Sequence, residues 1–216
     1  MLVNVKSNAM ARRSYSQYCG LARALDVVGE RWALLIVREL LLAPARYGEL
    51  ERALPGIASN LLAMRLRELQ AAGVLERRLS EDRPGVLYAL TPWGQQLREP
   101  LAGLIRWSAP LMLDGPRGES FRPHWLVVAL GALLEGASAP EQRCVAVEVD
   151  GTLIGIAVDR AGASVGLGAA PGTEATLSAD AATVLALAAG ALSADQAVAA
   201  GSCSGRSQAL AEVFAT

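Results

Sequence analysis

The sequence predicts an α+β fold in two parts, a helical part that closes on a β-hairpin and a smaller part in which strands and helices mix. Three observations predict it. Apolar residues recur at helical spacing up to about residue 72, then alternate over residues 74–80 and 86–90 as in a half-buried strand pair. Residues 1–120 hold 16 Lys+Arg against 12 Asp+Glu, a net +4, whereas residues 121–216 hold 4 against 9, a net −5. Between them residues 114–122, DGPRGESFR, gather glycine and proline where the composition changes. Residues 1–9 read as a tail left by cloning, 10–115 as a mildly basic domain and 121–216 as an acidic one.

Residues 15–28 form the first predicted helix, with Leu21, Ala24, Leu25 and Val28 at helical spacing. Gly29-Glu30-Arg31 introduces a second over residues 32–42, whose Trp32, Leu35, Ile36 and Leu40 are expected in the core; Pro44 stops it. A short third helix, 47–53, runs into the tight turn Leu54-Pro55-Gly56. The next helix, 59–72, is the one the domain turns on. On its wheel Leu62, Leu66 and Leu69 share a stripe flanked by Leu61 and Ala72, while Asn60, Ala63, Met64 and Arg67 face away. Ser59 is expected to cap its start and Gly73 to end it. Amide, small and guanidinium groups on one face suit base edges and phosphates in a major groove, although a plain solvated face is the other reading of this helix by itself.

Strands 74–80 and 86–90 follow, joined by the polar tip Glu81-Asp82-Arg83-Pro84-Gly85. Helix, turn, helix and hairpin together make a winged helix-turn-helix, whose second helix lies in the major groove while the hairpin touches flanking backbone. Ser59, Asn60, Ala63, Met64 and Arg67 are therefore the expected groove-facing residues, and Arg65, Arg77, Arg78 and Arg83 the expected phosphate contacts. Thr91 caps, and Pro92 begins, a helix predicted to run over 93–113. Its Leu97, Leu101, Leu104, Ile105, Trp107 and Leu111 exceed what three helices and a hairpin can cover. A second copy of the chain, docked here and through the N-terminal segment, is the expected partner; the chain's own second domain is the alternative.

Beyond the boundary the pattern gives a helix at 123–134, a hairpin of 144–149 and 152–158 about Asp150-Gly151, and strands at 163–167 and 175–177. Helices at 179–189 capped by Ser178, at 194–200 capped by Ser193, and at 206–214 complete this second α+β part.

Several of these stretches match a known pattern in order and spacing. Cys19 precedes Ala24-Leu25-Asp26-Val27-Val28-Gly29-Glu30-Arg31-Trp32; then come Tyr47-Gly48-Glu49-Leu50, Pro55-Gly56-Ile57-Ala58, Arg65-Leu66-Arg67-Glu68-Leu69 and Tyr88-Ala89-Leu90-Thr91 before Gly94. Over about residues 15–113 the chain resembles the HxlR family of winged-helix transcriptional regulators. The resemblance implies a homodimeric, MarR-like protein that binds double-stranded DNA. Family members commonly carry lysine near Asn60 and threonine near Ala63, so this chain departs from them on the groove face. Several members sense oxidants or electrophiles through a cysteine matching Cys19; inert packing on an apolar helix is the other reading of that residue. In the second part, Ala175-Thr176-Leu177-Ser178, residues 185–190, Ala191-Leu192-Ser193 and Gly201 before a last helix resemble the sterol carrier protein type domain. That resemblance implies an apolar tunnel between sheet and helices, and a small hydrophobic ligand acting as effector.

Other chemistry has little support in the residues. The longest uncharged runs, such as 181–194, fall short of the roughly 18 residues that a membrane span needs. Cys19, Cys144 and Cys203 are too few and too scattered for a disulfide framework or a zinc site, which suits a reducing cytoplasm. His124 is the one histidine and has no partner at ligand spacing; Gly166-Leu167-Gly168 lacks the helix and third glycine of a nucleotide site. No catalytic residue, cofactor or metal is expected, and the chain is read as no enzyme. A cytoplasmic, dimeric, effector-responsive DNA-binding regulator is the resulting expectation. The alternative is a hydrophobic-ligand carrier whose first half serves only protein contact.

Overall fold

The computed structural model describes residues 14–79, 85–113 and 115–215. The presumed cloning tail, Asp114 and the wing tip with Arg83 thus lie outside the described residues. Two compact units emerge, the first ending at Leu101 and the second beginning at Ala102.

Four helices open the first unit: α1 (Gly20–Val28), α2 (Ala33–Leu42), α3 (Tyr47–Ala53) and α4 (Ser59–Ala71). They are followed by the hairpin β1 (Leu75–Leu79) and β2 (Val86–Leu90), a one-turn helix α5 (Pro92–Gln95), and the start of α6 (Arg98–Ser108), whose residues from Ala102 onward belong to the second unit. The hairpin is antiparallel, pairing Leu75 with Leu90 and Leu79 with Val86. Ala45 adds a third, one-residue rung by exchanging two backbone bonds with Tyr88, at 3.0 and 2.8 Å.

Apolar burial explains why these helices stay together. Ile36, Val37, Leu40, Leu50, Leu54, Leu62, Leu66, Leu69, Val74 and Leu75 are all buried. On α2 the inward face is Ala33, Ile36, Val37, Leu40 and Leu41, whereas Leu35, expected in the core, is 40% exposed and Trp32 is half-buried. Trp32 takes φ +80° as the N-cap of α2 and so stands outside the helix, whose inward face starts from Ala33. Gly73 ends α4 as expected, at φ +79°, and the Val74 N–H bonds the Leu69 carbonyl at 2.9 Å. Ser59 is not the cap of α4: Ala58 holds that position and Ser59 is the first helical residue.

The single helix expected over 93–113 is broken. Pro100 has no N–H to offer Gln96, and its ring would crowd the Gln96 carbonyl, so α5 ends before Gln96 and a new helix starts at Arg98. Pro110 closes α6 in the same way, through a 3-10 turn at Ala109–Leu111. The Thr91 cap is present, its Oγ1 accepting the Gly94 N–H at 3.0 Å.

In the second unit, α7 (Trp125–Leu133) precedes β3 (Arg143–Val149), β4 (Thr152–Asp159), β5 (Gly162–Leu167) and β6 (Ala175–Ser178). Then come α8 (Ala181–Ala188), α9 (Ala194–Ala200), β7 (Ser202–Gly205) and α10 (Gln208–Phe214). The sheet runs β5-β4-β3-β6-β7, with β3 and β6 parallel and the other neighbours antiparallel. Asp150 and Gly151, at φ +48° and +72°, form the expected two-residue turn between β3 and β4. β7 was not expected: its sequence, SCSG, has no strand propensity of its own and pairs because β6 offers an edge. Asp180, not Ser178, caps α8, accepting the Thr183 N–H at 2.7 Å, while Ser178 Oγ donates to Glu148 at 2.9 Å. Ser193 does cap α9, in a reciprocal pair with Gln196. Between sheet and helices, where a tunnel was expected, Leu126, Leu130, Val145, Val147, Ile154, Ile156, Leu177 and Leu210 pack into one core.

Candidate nucleic-acid interface

α3, a turn and α4 build one presented face. Gly56, at φ +87°, makes the turn, and the Leu54 and Ile57 amides close back on the carbonyls of Leu50 and Leu54 at 3.0 and 3.2 Å. The Tyr47 hydroxyl donates to the Ser59 carbonyl at 2.6 Å, and the Ser59 hydroxyl bonds the Glu51 carboxylate. Two side-chain bonds therefore pin the start of α4 to α3, which is the work Ser59 performs instead of capping.

Burial of Leu62, Leu66 and Leu69 turns the opposite side of α4 outward. Asn60, Met64 and Arg67 are exposed there, and Ala63 is half-buried beside them. Asn60 Oδ1 accepts the Leu61 N–H at 2.8 Å, leaving its NH2 group as the donor for any further partner. Gln70 extends the same row and is exposed; its place three residues beyond Arg67 was the available signal.

Arg65 departs from its expected role. It is 8% exposed, on the flank of the leucine seam, with its Nε donating to the Arg31 carbonyl at 3.2 Å and Nη2 to Glu30 at 2.7 Å. Nη1 bonds Glu68 one turn along. A guanidinium held by three acceptors is not available to grip phosphate, so Arg65 belongs to the scaffold behind α4.

On the hairpin Arg77 and Arg78 are exposed and adjacent, so the strand alternation sends them to opposite faces. Arg78 Nε donates to Glu76 at 2.6 Å, an exposed pair that solvent and salt weaken. Arg46 is a cation the sequence reading passed over. Placed between the Ala45 rung and α3, it lays its guanidinium against the backbone at Gly85, the base of the wing.

Cys19 is exposed at the N-cap of α1. The nearby backbone N–H of Ala22, and secondarily that of Leu21, favour its thiolate and bring the thiol below its ordinary pKa. Tyr15, Tyr18, Leu21 and Leu25 are exposed around it, and Leu104 and Trp107 of α6 are exposed as well, Trp107 by 77%.

The second unit has a surface recess of about 330 Å³ walled by Ala109, Pro110, Leu113, Leu133 and Ala188, with Arg106 at its edge. Arg106 pairs with Glu135 and donates to the Ala132 carbonyl at 3.3 Å. Among the described residues no helix is long and apolar enough to cross a membrane.

Comparison with known proteins places a family match in the N-terminal part of the chain. Residues 27–114 match the family described as HxlR-like helix-turn-helix. The uncharacterized HTH-type transcriptional regulator YvaP of Bacillus subtilis (strain 168) is 36% identical over 97 residues, covering 43% of this chain and 90% of YvaP. YkvN of the same organism, also an uncharacterized HTH-type transcriptional regulator, is 34% identical over 90 residues, 41% of this chain and 76% of YkvN. Mb3122 of Mycobacterium bovis, of the same description, is 41% identical over 88 residues, 40% of this chain and 55% of Mb3122.

Proposed function

The chain belongs to the HxlR-like helix-turn-helix family, whose relatives are transcriptional regulators and not enzymes, and from that premise we propose how it binds DNA. It acts as a homodimer that sets α4 of each copy into the major groove of a half-site. The outward row of α4 carries the proposal: Asn60, Met64 and Arg67 are exposed while the leucine side is sealed. Arg67 and the Asn60 amide read base edges, Ala63 and Met64 supply apolar contact, for instance to a thymine methyl, and Ser59 lies at the groove rim. Arg77, Arg78 and Arg83 hold phosphate, with Arg46 beside them.

Exposed apolar side chains on α1 and α6 support the dimer, since such area in water favours a partner. In the second unit a small hydrophobic effector, the class implied by the likeness to sterol carrier domains, is proposed to occupy the recess beside Pro110 and Leu133 and to bias the spacing of the two α4 helices. Cys19 is proposed as an oxidant-responsive thiol at the same end of α1 as the exposed tyrosines.

Selection from a pool of random-sequence duplexes, followed by titration of the winner at several salt concentrations, tests the reading. Arg67→Ala should lower specific affinity by about 1–3 kcal/mol and relax one base position; Arg77→Ala should weaken all sequences alike and flatten the salt slope by about one. Binding without sequence preference or salt dependence would sink the proposal and favour a ligand carrier.

A further inference from the structure

Arg65 is the one buried guanidinium on α4, and its acceptors come from two places. Glu68 lies on α4 itself, but the Glu30 carboxylate and the Arg31 carbonyl belong to the turn between α1 and α2, thirty-five and thirty-four residues earlier. The rest of the inward face is Leu62, Leu66 and Leu69. Leucine contacts resist separation but are non-directional, so they tolerate a few degrees of rotation or a small slide of the helix. A planar fork with three fixed acceptors does not.

We propose that Arg65 is a positioning residue, which with Glu30 sets the rotation of α4 and so decides which side chains meet the base edges. This rests on the DNA-binding reading above. Glu30 is more than half exposed, whereas Arg65 is buried, so the carboxylate is the part that can be altered with little effect on the core. The same arrangement connects α4 to the end of α1, whose far end bears Cys19.

The charges make the test sharp, because two readings predict opposite signs. Glu30→Gln removes a negative charge close to the groove face. If Glu30 acted only through its charge, the variant would bind every duplex more tightly. If it holds Arg65, the variant binds the selected duplex about tenfold more weakly relative to a scrambled duplex of equal length, with the salt slope unchanged. Arg65→Lys, which keeps the charge but not the fork, should show the same loss of discrimination, and the double variant should be no worse than Arg65→Lys alone. Circular dichroism melts of the full chain check that each variant is folded. Unchanged discrimination in a folded Glu30→Gln, or tighter binding to both duplexes, overturns the proposal while leaving DNA binding intact. Failure of the unaltered chain to discriminate at all overturns both.

Discussion

At residue scale, Gly94 shows how little freedom the site's supports have. A Cβ on Gly94 would overlap the Val74 carbonyl oxygen and press on Leu90, both backbone-fixed or buried. Gly94→Ala is therefore expected to cost about 2–4 kcal/mol, read as a lower urea midpoint with an unchanged slope. Cys19 gives a second prediction. Because the Ala22 and Leu21 amides favour its thiolate, alkylation should reach half its maximal rate at a pH below the value measured for a cysteine in an unstructured peptide. A stopped-flow maleimide titration with Cys19→Ser as blank measures it, and a midpoint at or above that value would refute the assignment. The wheel of α4 was legible in the sequence because leucine spacing alone orients it. Arg65 was not, since a residue on the flank of the seam turns inward only when acceptors from a distant turn await it. Ser59 was misread for a related reason: its partner, Glu51, sits on another helix.

At the scale of elements, strong local signals held and weak ones yielded to context. Gly73, Asp150-Gly151 and Ser193 ended or began elements where their chemistry predicts. The break at Pro100 was written in the chain but hidden by an uninterrupted apolar period on both sides. β7 had no local signal; just past it Arg206 pairs with Glu174, ahead of β6, and with Glu212 of α10 at 2.9 Å, while Arg143 of β3 pairs with Glu212 at 2.6 Å. Arg206 and Arg143 hold the Glu212 carboxyl below its usual range, and Arg206 does the same for Glu174, helped by the Cys144 N–H. Depressed carboxyl values mean that this stabilisation is complete above the unfolded value near 4.3 and is lost as the pH falls through the lower folded values. The urea midpoint of the intact chain should thus drop as the pH is lowered from about 5 toward 3, and Arg206→Gln should flatten that dependence. An equally steep dependence in the variant would show that other carboxylates govern it.

For the whole molecule, the chain divides into two compact units between Leu101 and Ala102, earlier than the change of charge at residues 120–121, and the family match, residues 27–114, runs past that division. The regulator family was legible because the helix-turn-helix and its hairpin lie in consecutive segments. The proposed dimer rests on an excess of exposed apolar side chains. Trp107→Glu places a charge at the exposed tryptophan of α6, and the proposed dimer should then sediment as a monomer at micromolar concentration; a dimer that persists would move the interface elsewhere. The strand order of the second unit also sets a sequence of events in time. β3, β4 and β5 pair with chain neighbours through short turns, so their closure needs little loop entropy. β6 must return alongside β3, and β7 can join only after α8 and α9 have been laid down. A nascent chain is therefore expected to complete the meander first and seal the β7 edge last.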